Sequence, residues 1–216
     1  MNLGGIRPPE SPLASWFGKV LVARPGENWP LTAKGQPMQP LCQINLEELP
    51  FKPNALRDIA FLSLLLDPDG FDPKLPNGSS WLLRAYKTLD GLTAMAVPNM
   101  KSHVKPFPLV PEVIEADYPC HDNVSAEISQ WFDDQGLEHY DHLRTADGLK
   151  LGGWPALIQS ELVWEYNSLP SQPAFVFQVN SESKAEWSWG DAGYGYFGRG
   201  TAPGQEDEWS FDWQCY

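Results

Sequence analysis

Apolar and polar positions along this chain fall into short segments, most of them with the period of a strand. Residues 19–23, 41–45, 59–66, 82–86, 162–166, 175–180 and 194–197 are rich in β-branched or aromatic side chains. Each is bounded by Gly, Pro, Asn or Asp, which predicts seven strands. One stretch changes period. Val124, Ile128, Trp131 and Phe132, followed by Gln135, recur at helical spacing and predict a helix over 123–135 with one apolar stripe. Asp122 or Asn123 can cap its start, and Gly136 stands where a C′ glycine belongs. Shorter helical turns are expected over 46–49 or 54–58. Residues 67–80 are turn chemistry throughout and predict an exposed loop. Residues 97–120 carry prolines at 98, 106, 108, 111 and 119 and predict an extended crossing segment.

Composition supports many strands and few helices. Pro (21) and Gly (18) make up about 18% of the 216 residues, against about 12% in average usage, and both weaken helix interiors. A hydrophobic content of 42% is enough for a real core. No apolar run approaches the ~20 residues of a membrane-spanning helix. Residues 1–16 lack the basic and apolar regions of a secretory signal. Cys42, Cys120 and Cys215 are dispersed and odd in number, so neither a disulfide framework nor a zinc knuckle is implied. A cytoplasmic protein is expected.

Two parts of the chain resemble each other. Leu41-Cys42-Gln43-Ile44-Asn45 corresponds to Val176-Phe177-Gln178-Val179-Asn180, and Asp58-Ile59-Ala60-Phe61 to Asp191-Ala192-Gly193-Tyr194. Upstream, Glu27-Asn28-Trp29-Pro30 matches Gly152-Gly153-Trp154-Pro155. The order and spacing predict a single α+β domain of mostly antiparallel sheet. Its two pseudo-duplicated halves, about 18–96 and 121–215, share one core and are joined by the Pro-rich segment 97–120. Strand alternation puts Leu41, Gln43 and Asn45 on one face, and Val176, Gln178 and Asn180 on the matching one. Gln and Asn there either bond loop backbones or line a groove between the halves.

Charge is unevenly spread over these halves. The net formal charge is −13. Residues 1–108 hold 11 basic and 9 acidic residues, whereas 109–216 hold 4 and 19, together with seven of the ten tryptophans. Such a field repels nucleic acid as a whole and steers a basic partner.

Several motifs carry a further resemblance. Leu-Cys-Gln-Ile-Asn-Leu-Glu-Glu-Leu-Pro (41–50), Lys-Leu-Gly-Gly-Trp-Pro (150–155), Phe-Gln-Val-Asn-Ser (177–181), Trp-Gly-Asp-Ala-Gly (189–193) and Trp213-Gln214-Cys215 resemble the YwqG-like family over roughly residues 18–215. The resemblance implies a compact α+β fold with two related halves, and it carries over no catalytic residues. Some members look like immunity proteins that neutralise bacterial toxins by binding. The first half departs from the pattern at Glu27-Asn28-Trp29-Pro30, where the family shows a Gly-Gly-x-Pro element.

Signatures of catalysis are weak. His139-x-x-His142 with Asp141 between lacks a third ligand at a compelling spacing. The glycine-rich run 193–200 lacks the Gly-Lys-Ser/Thr ending and helix of a phosphate loop, and fits instead a strand packed under another backbone. No Gly-x-Ser-x-Gly elbow occurs. Asp191 is placed to cap a tight turn. No motif calls for a cofactor or metal.

The reading is therefore a non-enzymatic, immunity-type protein that binds a basic toxin or nuclease domain and touches neither nucleic acid nor membrane. Its expected partner-binding residues are Glu182, Glu186, Trp187, Glu206, Asp207, Glu208, Trp209 and Asp212, with Trp187 and Trp209 at the surface and Trp154, Trp189 and Trp213 in the core. The alternative is a small-ligand protein or enzyme using a groove lined by Gln43, Asn45, Gln178, Asn180 and Asp191.

Overall fold

A computed structural model describes residues 1–3, 11–164 and 170–216. Among the described residues twelve strands and two short helices are formed in the order β1 (Asn2–Leu3), β2 (Trp16–Phe17), β3 (Val22–Ala23), β4 (Gln39–Asn45), β5 (Phe61–Leu66), β6 (Trp81–Tyr86), β7 (Thr93–Ala94), β8 (Phe107–Val110), α1 (Ala126–Gln135), α2 (His139–His142), β9 (Lys150–Leu151), β10 (Pro173–Asn180), β11 (Tyr194–Gly200) and β12 (Trp209–Gln214). They make a six-stranded sheet ordered β1-β8-β2-β4-β5-β6, a four-stranded sheet ordered β12-β11-β10-β9, and the small ribbon β3-β7. All pairings are antiparallel. The class is α+β with few short helices, as the composition predicts.

The halves repeat in register. Gln43 pairs with Ser63, and Gln178 with Tyr196. Ser63 then pairs with Arg84, and Tyr196 with Asp212. Both long strands break register at the same place, leaving Leu41 unpaired between Pro40 and Cys42, and Val176 between Phe175 and Phe177. Each of these β-bulges inserts one residue and turns it. Leu41 and Val176 consequently join the core, while Gln43, Asn45, Gln178 and Asn180 stay on the opposite faces. This corrects the single face predicted by strict alternation. The carbonyl of each bulged residue accepts from a positive-φ glycine: Gly18 N–H to Leu41 O at 2.6 Å, and Gly152 N–H to Val176 O at 2.7 Å. The structural counterpart of Gly152 is therefore Gly18. Trp29-Pro30, matched to Trp154-Pro155 by sequence, lies elsewhere. Pro30 O and the Trp29 indole both bond the backbone of Met38, within a local turn.

Inner faces of both sheets meet in one core. Cys42, Ile44, Leu62, Leu64, Trp81 and Leu83 come from the first, and Phe177, Val179, Phe197, Trp209 and Phe211 from the second. Burial of a side chain of this size contributes about 1.5–3 kcal/mol. The loop over 67–80 is mostly exposed as predicted, but Ser80 at its end is buried and Phe71 inserts edge-on against Trp189, Phe211 and Trp213. Glycines of β11 accept neighbours at van der Waals range. A Cβ on Gly195 would lie 2.4 Å from the Trp189 ring, and one on Gly200 2.1 Å from the Gln205 carbonyl oxygen.

Six strands escape the sequence pattern: β1, β2, β7, β8, β9 and β12. Most are only two residues long, too short to show a period. Residues 162–164, expected to begin a strand, run without regular structure; 165–166 lie outside the described residues.

Candidate functional site

The eight residues expected to form one acidic, aromatic surface are split by the strand topology. Residues 181–193 connect β10 to β11 at one end of the second sheet, and 201–208 connect β11 to β12 at the other. The seven residues of β11 put about 20 Å between those ends. At the first end Glu182 caps a 3-10 turn by accepting from Lys184 N, Glu186 pairs with Lys105, and Trp187 is half-buried edge-on against Trp189. At the second end Glu206, Asp207 and Glu208 are exposed, with Asp207 bonded to Lys87 at 2.9 Å. Trp209 is not a surface residue: it is 7% exposed and stands edge-on to Phe177. Asp212 is half-buried and accepts from the N–H groups of Trp213 (2.8 Å) and Val163 (3.4 Å), with burial pushing its carboxyl above the usual range. Of the tryptophans expected in the core, Trp189 is there, Trp213 is partly so, and Trp154 is largely exposed.

The five polar residues expected in a groove between the halves are also dispersed. Gln43 and Gln178 are fully buried on the outer faces of their sheets. Gln43 accepts from Leu21 N–H (2.7 Å) and donates to Pro12 O (2.9 Å) and Ala14 O (2.6 Å). Gln178 accepts from Ala156 N–H (2.9 Å) and donates to Gly148 O (3.1 Å). Asn45 caps the turn over 46–48, Asn180 donates to Ser181 O, and Asp191 is exposed. The two glutamines hold irregular segments against their sheets and Asn45 caps a turn, the structural role the sequence also allowed.

A groove does run along the junction, lined by other residues. It has a volume of about 340 Å³ and takes Phe51, Pro53 and Asn54 from the first half, Pro111 to Ile114 and Asp117 from the linker, and Lys150 to Gly153 from the second. Its floor is an ion pair, Lys150 Nζ to Asp117 Oδ2 at 2.9 Å, with both side chains largely buried. Desolvation pushes the Lys150 ammonium below the usual lysine range, opposed by Asp117. Asp117 accepts further from Ala146 N–H (2.5 Å) and Trp154 N–H (2.8 Å).

The Gly-Gly-Trp-Pro motif is shaped around that carboxylate. Gly153 has φ +70°, and a Cβ there would sit 2.0 Å from Asp117 Oδ2. Gly152, at φ +75°, lies against Pro53. Sequence reasoning missed Asp117 because its partners lie about 30 residues downstream. A second cavity shares Gly153 and is bordered by Trp154, Leu162 and Trp164.

Beyond the groove lies the helical corner. Ser125, rather than Asp122 or Asn123, caps α1 by accepting from Ile128 N–H, and Gly136 ends it at φ +64° as predicted. Phe132 is the one buried residue of α1, its ring near those of His139 (5.2 Å) and His142 (6.1 Å). The His139 ring also stands edge-on to His121, and its Nε2 is buried without a hydrogen-bond partner. Among the described residues no three His, Cys, Asp or Glu side chains are grouped to hold a metal ion. No described helix is long and apolar enough to cross a membrane.

A family model described as "Domain of unknown function (DUF1963)" matches residues 17–198. The chain belongs to this family. The DUF1963 match spans the first half, the linker, the Asp117 cradle and the second half as far as Gly198, leaving the end of β11, the β11–β12 loop and β12 outside. No curated protein matches the chain.

Proposed function

We propose that this DUF1963 protein is a YwqG-like binding protein of the immunity type, which neutralises a basic toxin or nuclease domain by direct contact. One observation carries the reading. Between Lys105 and Arg144 the chain holds nine acidic residues and no lysine or arginine, and the same stretch exposes Val113, Ile114 and Trp131. An excess of negative charge around exposed apolar side chains is suited to a partner that brings cations and an apolar surface together. The acids at 206–208 lie in the β11–β12 loop and serve at most as a steering field. Co-expression with the product of the adjacent reading frame tests the proposal. A complex that persists on a sizing column at micromolar concentration is expected, and separate elution of the two chains overturns it.

The groove supports a second reading, a small-ligand site. Its volume lies at the low end for such sites, its walls are mainly apolar, and the Lys150 ammonium faces it with Asp117 as its hydrogen-bond acceptor. A metabolite that raises the melting temperature by several degrees in the wild type and not in Lys150→Met favours this reading; no shift with any compound removes it.

A further inference from the structure

Helix α1 is amphipathic in sequence but only partly used in packing. Its stripe predicts a buried face, yet the fold covers Phe132 alone and leaves Ile128 and Trp131 at 43% and 54% exposure. A tryptophan buries 150–250 Å² when covered, roughly the largest apolar gain a single residue offers at an interface. The Trp131 indole is also held in place, edge-on against Phe132 with ring centroids 5.1 Å apart. An anchor already fixed in the free protein loses little side-chain entropy on binding.

The surroundings select the occupant. Glu127 and Asp134 lie four residues before and three after Trp131, the spacings that put side chains beside it on a helix surface. Asp133, Glu138 and Asp141 follow, all exposed, and neither helix carries a lysine or arginine. A second copy of this chain would bring like charges together across a two-fold axis. Nucleic acid and anionic lipid are disfavoured by the same sign of charge. A protein surface with an apolar cleft bordered by lysine or arginine satisfies both features of the face.

We propose that the Ile128–Trp131 face of α1 is the docking surface for a basic protein partner, with Trp131 as the anchor residue and the flanking carboxylates as its ion-pairing rim. This rests on the binding reading above and names the surface that performs it.

Panning a random dodecapeptide phage library on the full-length immobilised chain tests it. Enriched peptides should combine basic with apolar residues. Their affinity for Trp131→Ala and for Ile128→Asp should fall about tenfold or more, the size of a hot-spot loss. Affinity should also weaken as salt rises. The triple variant Glu206→Lys, Asp207→Lys, Glu208→Lys should retain binding within a few fold. Both α1 side chains are solvent-exposed, so circular dichroism melts should match the wild type. If a variant melts lower, Ile128→Lys with Trp131 retained supplies the charge test. Basic peptides that bind Trp131→Ala as tightly as wild type overturn the docking surface and leave the binding reading standing. Failure to enrich basic peptides at all overturns both.

Discussion

Gln43 and Gln178 make the same clamp in the two halves. Each accepts, through its side-chain carbonyl, the backbone N–H of the residue 22 positions earlier, Leu21 or Ala156. Each donates from its amide to a carbonyl of the segment crossing its sheet. Both amides are fully buried, so removing either strands backbone groups without water. Gln43→Leu and Gln178→Leu should each lower stability by about 2 kcal/mol or more in urea denaturation. A near-zero effect at one site would show that its crossing segment is held by other contacts.

Asp117 should be the most sensitive residue of the linker. Asp117→Ala removes the acceptor of Ala146, Trp154 and Lys150 and leaves a buried ammonium unpaired, a loss of about 3–5 kcal/mol. Adding Lys150→Met should recover part of it. Gly153→Ala drives a methyl group into the same carboxylate, whereas Gly26→Ala, also at positive φ, meets nothing within 4 Å. The first should melt well below the second, which should cost about 1 kcal/mol.

Arg199 joins the second half to the first. Its guanidinium donates to both oxygens of Asp58 (2.6 and 2.7 Å) and to Ala55 O (2.7 Å), while its Nε donates to Glu206 O. The bond to Arg199 holds Asp58 below the usual carboxylate range. Arg199 is buried, but the Asp58 side chain is half exposed and screened by solvent. Arg199→Met should therefore destabilise by about 2–3 kcal/mol and Asp58→Asn by under about 1 kcal/mol. Equal losses would mean that the carboxylate, and not the backbone carbonyls, is the main partner.

Acidification should loosen the helical corner. Burial and the neighbouring His121 hold the His139 imidazole below its usual pKa. The unfolded state then takes up a proton at about pH 6.5, before the folded state does, so stability falls as pH drops through and below that value. Amide protection factors in α1 should fall between pH 7 and 5 more than those in β4 or β10. In His139→Phe this extra pH dependence should disappear; if it persists, His139 is not its source.

Much of the architecture is legible along the chain because it is local. The strands around Gln43 and Gln178, the Asn45 cap and the glycine at the end of α1 are set by residues within a few positions of one another. The acidic, aromatic ending reads as one surface only because its residues are consecutive. A strand of seven residues carries Glu186 and Glu206 to opposite ends of a sheet, and Trp209 alternates inward with Phe211. Leu41 reads as a neighbour of Gln43 until a bulge, invisible to alternation, turns it into the core.

Composition and short-range periodicity thus determine a mostly antiparallel α+β chain and the excess of acid in its second half. These follow from backbone propensity and side-chain alternation, which need no distant partner. Which glycine answers Gly152, which carboxylate fills the cradle at Gly153, and which tryptophan stays in water are settled by contacts between residues tens of positions apart. Those contacts depend on how two twisted sheets close over one core, and no local pattern encodes that closure.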